Sequence, residues 1–284
     1  DSNNLILIQC LIELNFLILR EILHRHIHRS SAILGLINVR KVKMKIIKTK
    51  DSDEMSRKAA DVIAEVLKNK PDCVIGIATG TTPIGLYECL IEDCKAGKIS
   101  FAKAKSFNLD EYRGLEGTHD QSYRYCMNKY LFDHVDIDKS QTHVPEGSNP
   151  DADKVAQEYE KAIKDAGGID IQLLGLGGNG HIGFNEPNIE FDKITHCVDL
   201  TQETIEANSR LFDSIDDVPR QAYTMGVGTI MAAKKVLLVA NGAAKAKAVK
   251  ESTQGPVVPS CPASVLQFHQ DCTVVVDAEA SAQI

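Results

Sequence analysis

Short apolar runs alternate along the chain with longer segments in which apolar residues recur at helical spacing. Most of the runs are rich in β-branched residues and lack polar alternation, which is typical of strands covered on both faces of a sheet. We predict strands at residues 44–50, 73–78, 104–109, 171–176, 236–240 and 273–277.

Between these runs the apolar pattern changes to the period of a helix. We predict helices at residues 53–69, 151–166 and 243–252. Alternating strands and helices favour βαβ units, right-handed crossovers and a mostly parallel sheet. The sequence therefore predicts one α/β domain over residues 44–284, with a three-layer, Rossmann-like open sheet and helices on both faces.

Residues 1–43 differ from the rest, because a Leu- and Ile-rich stretch is followed by a basic one. Charged residues interrupt the apolar stretch well short of the roughly 20 residues that span a bilayer, and the basic cluster lies on the wrong side for a signal peptide. The pairs His24/His28 and Arg25/Arg29 have helical spacing. The solvated end of an amphipathic helix explains them better than a metal site. We interpret residues 1–43 as an appended segment.

The formal net charge of −7 argues against a general nucleic-acid binder, which needs a basic face. Local positive groups would still suffice to bind one anionic metabolite. The eight cysteines are scattered and show neither C-x-x-C nor zinc-type spacing. We expect free thiols and a cytoplasmic protein with no membrane partner.

Ligands of open α/β sheets bind beyond the carboxyl ends of the strands, so residues that directly follow the apolar runs are candidates. After the run 73–78 comes a loop containing Thr79, Gly80, Thr81 and Thr82. The glycine permits a tight turn, and the start of the next helix favours a phosphate. The loop matches no nucleotide-binding motif, and a plain tight turn with a threonine cap explains it equally well.

An acidic pair, Asp110 and Glu111, follows the run 104–109. A carboxylate at the tip of a strand can act as the general base that abstracts a proton next to a carbonyl or imine. The alternative is a helix cap or a surface turn.

A glycine-rich segment, LLGLGGNGHIGFNEP, begins in the run 171–176 and carries His181. Its glycines allow a close approach to a ligand. Glu186 or Asn179 can fix the tautomer and orientation of the imidazole. No third ligand at usable spacing is apparent nearby, so we predict no metal.

Two cations complete the candidates. Lys245 follows the run 236–240 near a helix start, where it can join a phosphate site. Arg210 lies in the polar stretch EANSRLF. A solvated surface charge is the alternative for each.

Together these segments resemble the glucosamine-6-phosphate deaminase (isomerase) family, in its short form. The resemblance runs from about Met44 to the C-terminus through ATGTTPIGLY, FNLDEYRGL, GGNGHIGFNEP, ANSRLF and GPVVPSCPASVLQFH. LDEY combined with GHIGFNEP is highly specific. The resemblance implies that D-glucosamine 6-phosphate and water give D-fructose 6-phosphate and ammonia, without a cofactor or a metal, in amino-sugar catabolism.

The resemblance also implies roles for the candidate residues. Asp110 would move the C2 proton to C1, and His181, paired with Glu186, would assist opening of the pyranose ring. Asn179 stands beside them where some members have Asp. The phosphate would be held by the loop of Thr79, Gly80, Thr81 and Thr82 together with Arg210 and Lys245, and the stretch around Arg210 would form a mobile lid.

Three alternatives stay open. A 6-phosphogluconolactonase shares the architecture and a similar Gly-His segment, although LDEY and NEP favour the deaminase. A non-catalytic sugar-phosphate sensor would be expected to lose Asp110 or His181, and both are present. Galactosamine 6-phosphate is an alternative substrate, and the sequence leaves open whether the protein is a homo-oligomer.

Two departures from the family pattern change expectations. Asn179 cannot ionise, so a proton-relay role at that position is in doubt while an orienting role survives. Asn188 and Ile189 replace the Ser pair of the allosterically activated forms. We therefore predict hyperbolic kinetics that N-acetylglucosamine 6-phosphate does not alter. Initial rates against substrate concentration check this, and a sigmoidal curve restored by that metabolite would contradict it.

The interpretation of residues 1–43 predicts that a chain beginning at Met44 folds and keeps its activity. Circular dichroism and the enzymatic rate of this truncation, beside the full chain, provide the check. Loss of folding or of activity would show that the segment is integral to the domain.

Overall fold

The computed structural model describes residues 44–192 and 194–284. The segment 1–43 lies outside the described residues, including the pairs His24/His28 and Arg25/Arg29, so its interpretation as an appendage stays a prediction.

The principal sheet has seven strands, and its six pairings are all parallel. Across the sheet the order is β1 (Lys45–Lys48), β10 (Cys272–Val276), β9 (Val236–Ala240), β6 (Ile171–Gly175), β2 (Val74–Ile77), β3 (Lys105–Asn108) and β5 (Thr142–His143). Every residue of β2, β9 and β10 is buried, which explains why their sequences lack polar alternation. The predicted α/β class and the six predicted strands are confirmed; β5, with two residues, had no sequence signal.

Helices surround this sheet. They are α1 (Ser52–Asn69), α2 (Ile84–Lys95), α3 (Tyr123–Tyr130), α4 (Ala152–Asp165), α5 (Gln202–Ser209), α6 (Val227–Met231) and α7 (Ala246–Gln254). Short 3₁₀ turns occupy Phe132–His134, Lys139–Gln141, Ile215–Asp217, Ala243–Lys245 and Pro262–Phe268. The predicted helices 53–69 and 151–166 are confirmed to within one residue at each end. The third begins as a 3₁₀ turn and continues as α7.

A second sheet, which the sequence pattern did not predict, is antiparallel. It contains β4 (Asp110–Tyr112), β8 (Gln221–Thr224) and β7 (His196–Asp199), in that order. Its strands have three or four residues of mixed polarity, too few to establish a period. Its own apolar cluster consists of Tyr112, Phe184, Leu200, Ile205, Val218 and Ala222.

Leu109 connects the two sheets. Its backbone N–H donates to the Ile77 carbonyl of β2 at 2.8 Å, and its carbonyl accepts from the Met225 N–H just beyond β8, also at 2.8 Å. The residue that follows it, Asp110, therefore leaves the principal sheet in a direction fixed by backbone bonds on both sides.

The structure also bears on membrane spans and on the cysteines. Among the described residues, no helix is long and apolar enough to cross a membrane. The seven cysteines within the described ranges are free, as predicted for them.

Candidate active site

Four neighbouring strands bring most of the predicted residues to one edge of the principal sheet. β9, β6, β2 and β3 lie side by side and parallel, so their carboxyl ends point the same way. The loops that leave these ends carry Lys245, the glycine-rich turn, the threonine loop and Asp110, respectively. This is the edge at which open α/β sheets bind their ligands.

Asp110 is a buried carboxylic acid, with 6% of its surface exposed. Burial raises its pKa to about 8, and the negative charge of the adjacent Glu111 adds to the rise. One carboxyl oxygen, Oδ1, is buried and has no hydrogen-bond partner within the described part of the chain. A carboxyl group with a high pKa and a free oxygen is suited to accept a proton near neutral pH.

Glu111 has a different role, although it is the next residue. Its carboxylate accepts the backbone N–H groups of Tyr112, Tyr123 and Arg124 at 2.8 to 3.0 Å, two of them in the first turn of α3. Burial raises the pKa of Glu111 to about 7 against the lowering effect of these three bonds. The helix-cap alternative for the acidic pair therefore fits Glu111, while the general-base interpretation is left to Asp110.

The strand of Asp110 packs against the glycine-rich turn. Asp110 lies opposite Thr224 in the antiparallel sheet, and the Thr224 hydroxyl accepts the Phe184 N–H at 3.1 Å. Gly183 has a φ of +59°, and a Cβ on it would lie 2.7 Å from that hydroxyl and 3.2 Å from Leu109. A larger residue at position 183 would separate the turn from the strand that carries Asp110.

Gly177 is required by the imidazole of His181. A Cβ built on Gly177 would lie only 2.3 to 2.4 Å from three atoms of the His181 ring, so the ring rests directly on the glycine backbone. The Gly177 N–H also donates to the His181 carbonyl at 2.9 Å. The turn therefore fixes both the backbone and the ring of the histidine.

Asn179 bridges His181 and Glu186. Its amide nitrogen donates to Glu186 Oε2 at 2.8 Å, while its amide oxygen lies 2.7 Å from His181 Nδ1 and also accepts the His181 backbone N–H. An ionised carboxylate only accepts hydrogen bonds, so it fixes the amide orientation. The amide oxygen then requires a proton on Nδ1. In the neutral ring Nε2 is left with a free lone pair that can take a proton from a ligand.

Glu186 is held as an anion by its neighbours. Burial acts to raise its pKa, but bonds from His181, Asn179 and Thr204 outweigh burial and hold the pKa below its usual value. The distance from His181 Nδ1 to Glu186 Oε2 is 3.3 Å. The Thr204 hydroxyl donates to the other carboxylate oxygen, Oε1, at 3.2 Å.

The threonine loop lies beside the loop of Lys245, because the Thr82 hydroxyl donates to Asn241 Oδ1 at 2.8 Å. Gly80 in this loop has a φ of +106°, the left-handed backbone expected of the predicted tight turn. Pro83 precedes α2 and makes no side-chain cap, so the threonine-cap alternative does not apply at that helix start.

Lys245 is a half-buried cation at the end of its 3₁₀ turn, directly before α7. Burial lowers its pKa, and its ammonium group has neither an ion pair nor a hydrogen bond with any residue in 44–192 or 194–284. The loop before it is anchored where the Gly242 N–H donates to both oxygens of Asp277, at 3.0 and 3.1 Å. A half-buried, unpaired cation beside a polar loop can bind an anion.

Arg210 has no hydrogen bond or ion pair with the other candidate residues in the described part of the chain. It is exposed at the C-terminal end of α5 and has no ion pair inside the described ranges. Its helix nevertheless contacts the site, through Thr204 and Glu186.

Three contributors were missed from the sequence. Asn241 directly follows β9, so the rule that selected the other candidates would have found it. Thr204 and Thr224 act through contacts with distant segments and leave no local signal. No group of three His, Cys, Asp or Glu side chains within the described segments is placed to hold a metal ion.

Comparison with known proteins supports one family. A family model described as glucosamine-6-phosphate isomerases/6-phosphogluconolactonase matches residues 49–275. A glucosamine-6-phosphate deaminase of Clostridium perfringens (strain 13) is 51% identical over 238 residues, covering 84% of this chain and 98% of the relative. A glucosamine-6-phosphate deaminase of Thermoanaerobacter sp. (strain X514) is 48% identical over 241 residues, covering 85% and 95%.

Solved structures give a consistent result. A structure described as a monomeric glucosamine-6-phosphate deaminase is 42% identical, covers 85% of this chain and 100% of its own, and has a TM-score of 0.82. A 6-phosphogluconolactonase of Trypanosoma brucei is 20% identical, covers 86% and 99%, and has a TM-score of 0.69. At that identity the second likeness concerns the fold alone.

The hydrogen bonds of Asn179 predict that neutral His181 carries its proton on Nδ1. His269 is an internal reference of the opposite tautomer, because its Nε2 lies 2.8 Å from the Ala233 carbonyl and its Nδ1 accepts the Asp271 N–H. Long-range ¹H–¹⁵N spectra should show opposite patterns for the two rings. An Nε2 proton on His181 would contradict the assignment.

Proposed function

Because the chain belongs to the family of glucosamine-6-phosphate isomerases and 6-phosphogluconolactonases, we propose that it is a glucosamine-6-phosphate deaminase. The proposed reaction converts D-glucosamine 6-phosphate and water to D-fructose 6-phosphate and ammonia. It is an aldose–ketose isomerisation followed by hydrolysis of a carbon–nitrogen bond, as in amino-sugar catabolism.

The observation that carries this proposal is the buried Asp110 carboxyl group beside a histidine turn. An isomerisation needs a base that removes the hydrogen on C2 and returns a proton at C1. Asp110 supplies a group with a pKa of about 8 and one unpaired oxygen. Removal of the C2 proton gives an enolamine, protonation at C1 gives an imine at C2, and water then releases ammonia.

His181 performs the earlier step, opening of the pyranose ring. With Nδ1 protonated and bound to Asn179, its Nε2 can take the proton of the C1 hydroxyl and return a proton to the ring oxygen. Glu186 stabilises the imidazolium that forms in between. Asn179 orients the ring and relays no proton of its own, which agrees with its neutral side chain.

The phosphate of the substrate binds at the same edge of the principal sheet, at the loops that follow β2 and β9. The unpaired Lys245 and the loop of Thr79, Gly80, Thr81 and Thr82 supply a cation, hydroxyls and a backbone turn. Arg210 reaches the phosphate when α5 moves as a lid. No step in this scheme calls for a metal or a cofactor.

Relatives that are 51% and 48% identical are named as deaminases, whereas the lactonase likeness is limited to fold. We propose that the protein is cytoplasmic. We also propose that residues 1–43, which precede the matched range 49–275, are an appended segment. The sequence left open whether the protein is a homo-oligomer, and the 42%-identical neighbour is described as monomeric.

The test is an assay of fructose 6-phosphate and ammonia from glucosamine 6-phosphate, with Asp110→Asn beside the wild type. The amide cannot accept the C2 proton, so we expect kcat to fall by roughly 1,000-fold or more. Galactosamine 6-phosphate and 6-phosphogluconolactone serve as rival substrates. Turnover of the lactone alone, or near-normal turnover by Asp110→Asn, would contradict the proposal.

The raised pKa of Asp110 predicts a pH dependence. The base must be ionised, so kcat/KM should rise about tenfold per pH unit as the pH approaches about 8. Removing the negative neighbour in Glu111→Gln lowers the pKa of Asp110. The rising limb of the plot of kcat/KM against pH therefore moves to lower pH.

The matched control is Glu116→Gln, an exposed carboxylate of the same segment. It should leave the limb of kcat/KM in place. A limb that shifts equally in both variants, or that moves to higher pH in Glu111→Gln, would show that Glu111 does not set the pKa of the base.

A further inference from the structure

Thr204 contacts the histidine–glutamate pair from a different part of the chain. It lies in the first turn of α5, after Thr201 at the N-cap, and is half-buried. Its hydroxyl is 3.2 Å from Glu186 Oε1. Within the part of the chain that the structure describes, this is the hydrogen bond that Oε1 receives, since Asn179 and His181 face Oε2.

The direction of this bond is fixed by its partners. The Thr201 hydroxyl donates to the Thr204 hydroxyl at 3.0 Å, and an ionised carboxylate only accepts, so the Thr204 proton points to Glu186. Thr201 also accepts the Thr204 backbone N–H at 3.2 Å. The first turn of α5 therefore presents one oriented donor to the carboxylate.

We propose that Thr204 is a positioning residue, through which helix α5 holds the Glu186 carboxylate in the orientation that pairs it with His181. The inference deepens the proposed deaminase function and rests on it. Without the bond to Oε1, the carboxylate can rotate and carry Oε2 away from His181 and Asn179. The bond joins two side chains and needs no bound ligand, so Thr204 holds the carboxylate before the substrate arrives.

The bond has a consequence for kinetics. The ring-opening histidine depends on the orientation of Glu186, so loss of the Thr204 hydroxyl slows the ring-opening step. Thr204 acts on turnover more than on binding, because it touches Glu186 and not the substrate.

The test compares Thr204→Val, which replaces the hydroxyl with a methyl group of similar shape, with Thr204→Ser, which keeps the donor. We expect Thr204→Val to lower kcat about tenfold while KM changes less than about threefold. Thr204→Ser should stay within about threefold of the wild type. Thr204→Ala is a second variant without the hydroxyl. Because alanine favours a helix, an effect in this variant does not come from unfolding of α5.

The matched control is Thr253→Val in α7, where the hydroxyl donates only to the Val249 carbonyl of its own helix. It should leave kcat within about twofold of the wild type. A second readout needs no substrate: in Thr204→Val the Nδ1–H signal of His181 should weaken or broaden, while that of His269 is unchanged.

Three results would overturn the proposal. The first is a wild-type kcat in both Thr204→Val and Thr204→Ala. The second is a kcat that is as low in Thr204→Ser as in Thr204→Val. The third is a change of KM without a change of kcat in Thr204→Val. If the wild type fails to turn over glucosamine 6-phosphate, the proposed function is wrong, and the histidine spectrum still decides whether Thr204 positions the pair.

Discussion

The parallel pairing of β9, β6, β2 and β3 is the constraint on which the site depends. Four adjacent parallel strands must release their loops at one edge, and this places the cation of Lys245, the threonine loop, the histidine turn and Asp110 there together. Backbone bonds at Leu109 then pass the chain from this sheet to the antiparallel one and bury the Asp110 carboxyl group. Burial raises the pKa of that group, and this property makes an ordinary aspartic acid a base for neutral pH.

The histidine turn shows how a few side chains divide one task. Gly177 leaves room for the imidazole, Asn179 sets its tautomer, and Glu186 balances the charge that forms on it. The neutral Asn179 is enough for this purpose, because the bond to His181 needs an acceptor and the bond to Glu186 needs a donor. An amide supplies one of each, whereas a carboxylate would place a second negative charge next to Glu186.

The sequence predicted the parts of the molecule that have a regular period or a position after a strand. The buried strands, two of the helices and the placement of Asp110, His181 and Lys245 follow from local pattern. The antiparallel sheet had no such pattern, since its strands are short and mixed in polarity. The contacts of Thr82 with Asn241 and of Thr204 with Glu186 span 159 and 18 positions in the chain, so only the folded structure brings them together. Arg210 was selected as a cation in a polar stretch, and the resemblance gave it a role at the phosphate, which is still a prediction.

In the proposed reaction, Asp110 moves a proton from C2 to C1 of an opened sugar. The most direct measurement is the fate of the hydrogen at C2, followed with glucosamine 6-phosphate deuterated at that carbon and turned over in ordinary water. We expect a primary isotope effect and fructose 6-phosphate that retains part of the label at C1, because a buried carboxyl group exchanges its proton slowly with solvent. A hexose 6-phosphate that keeps the label at C2 would mean direct displacement of the amine, and it would contradict the assignment of Asp110.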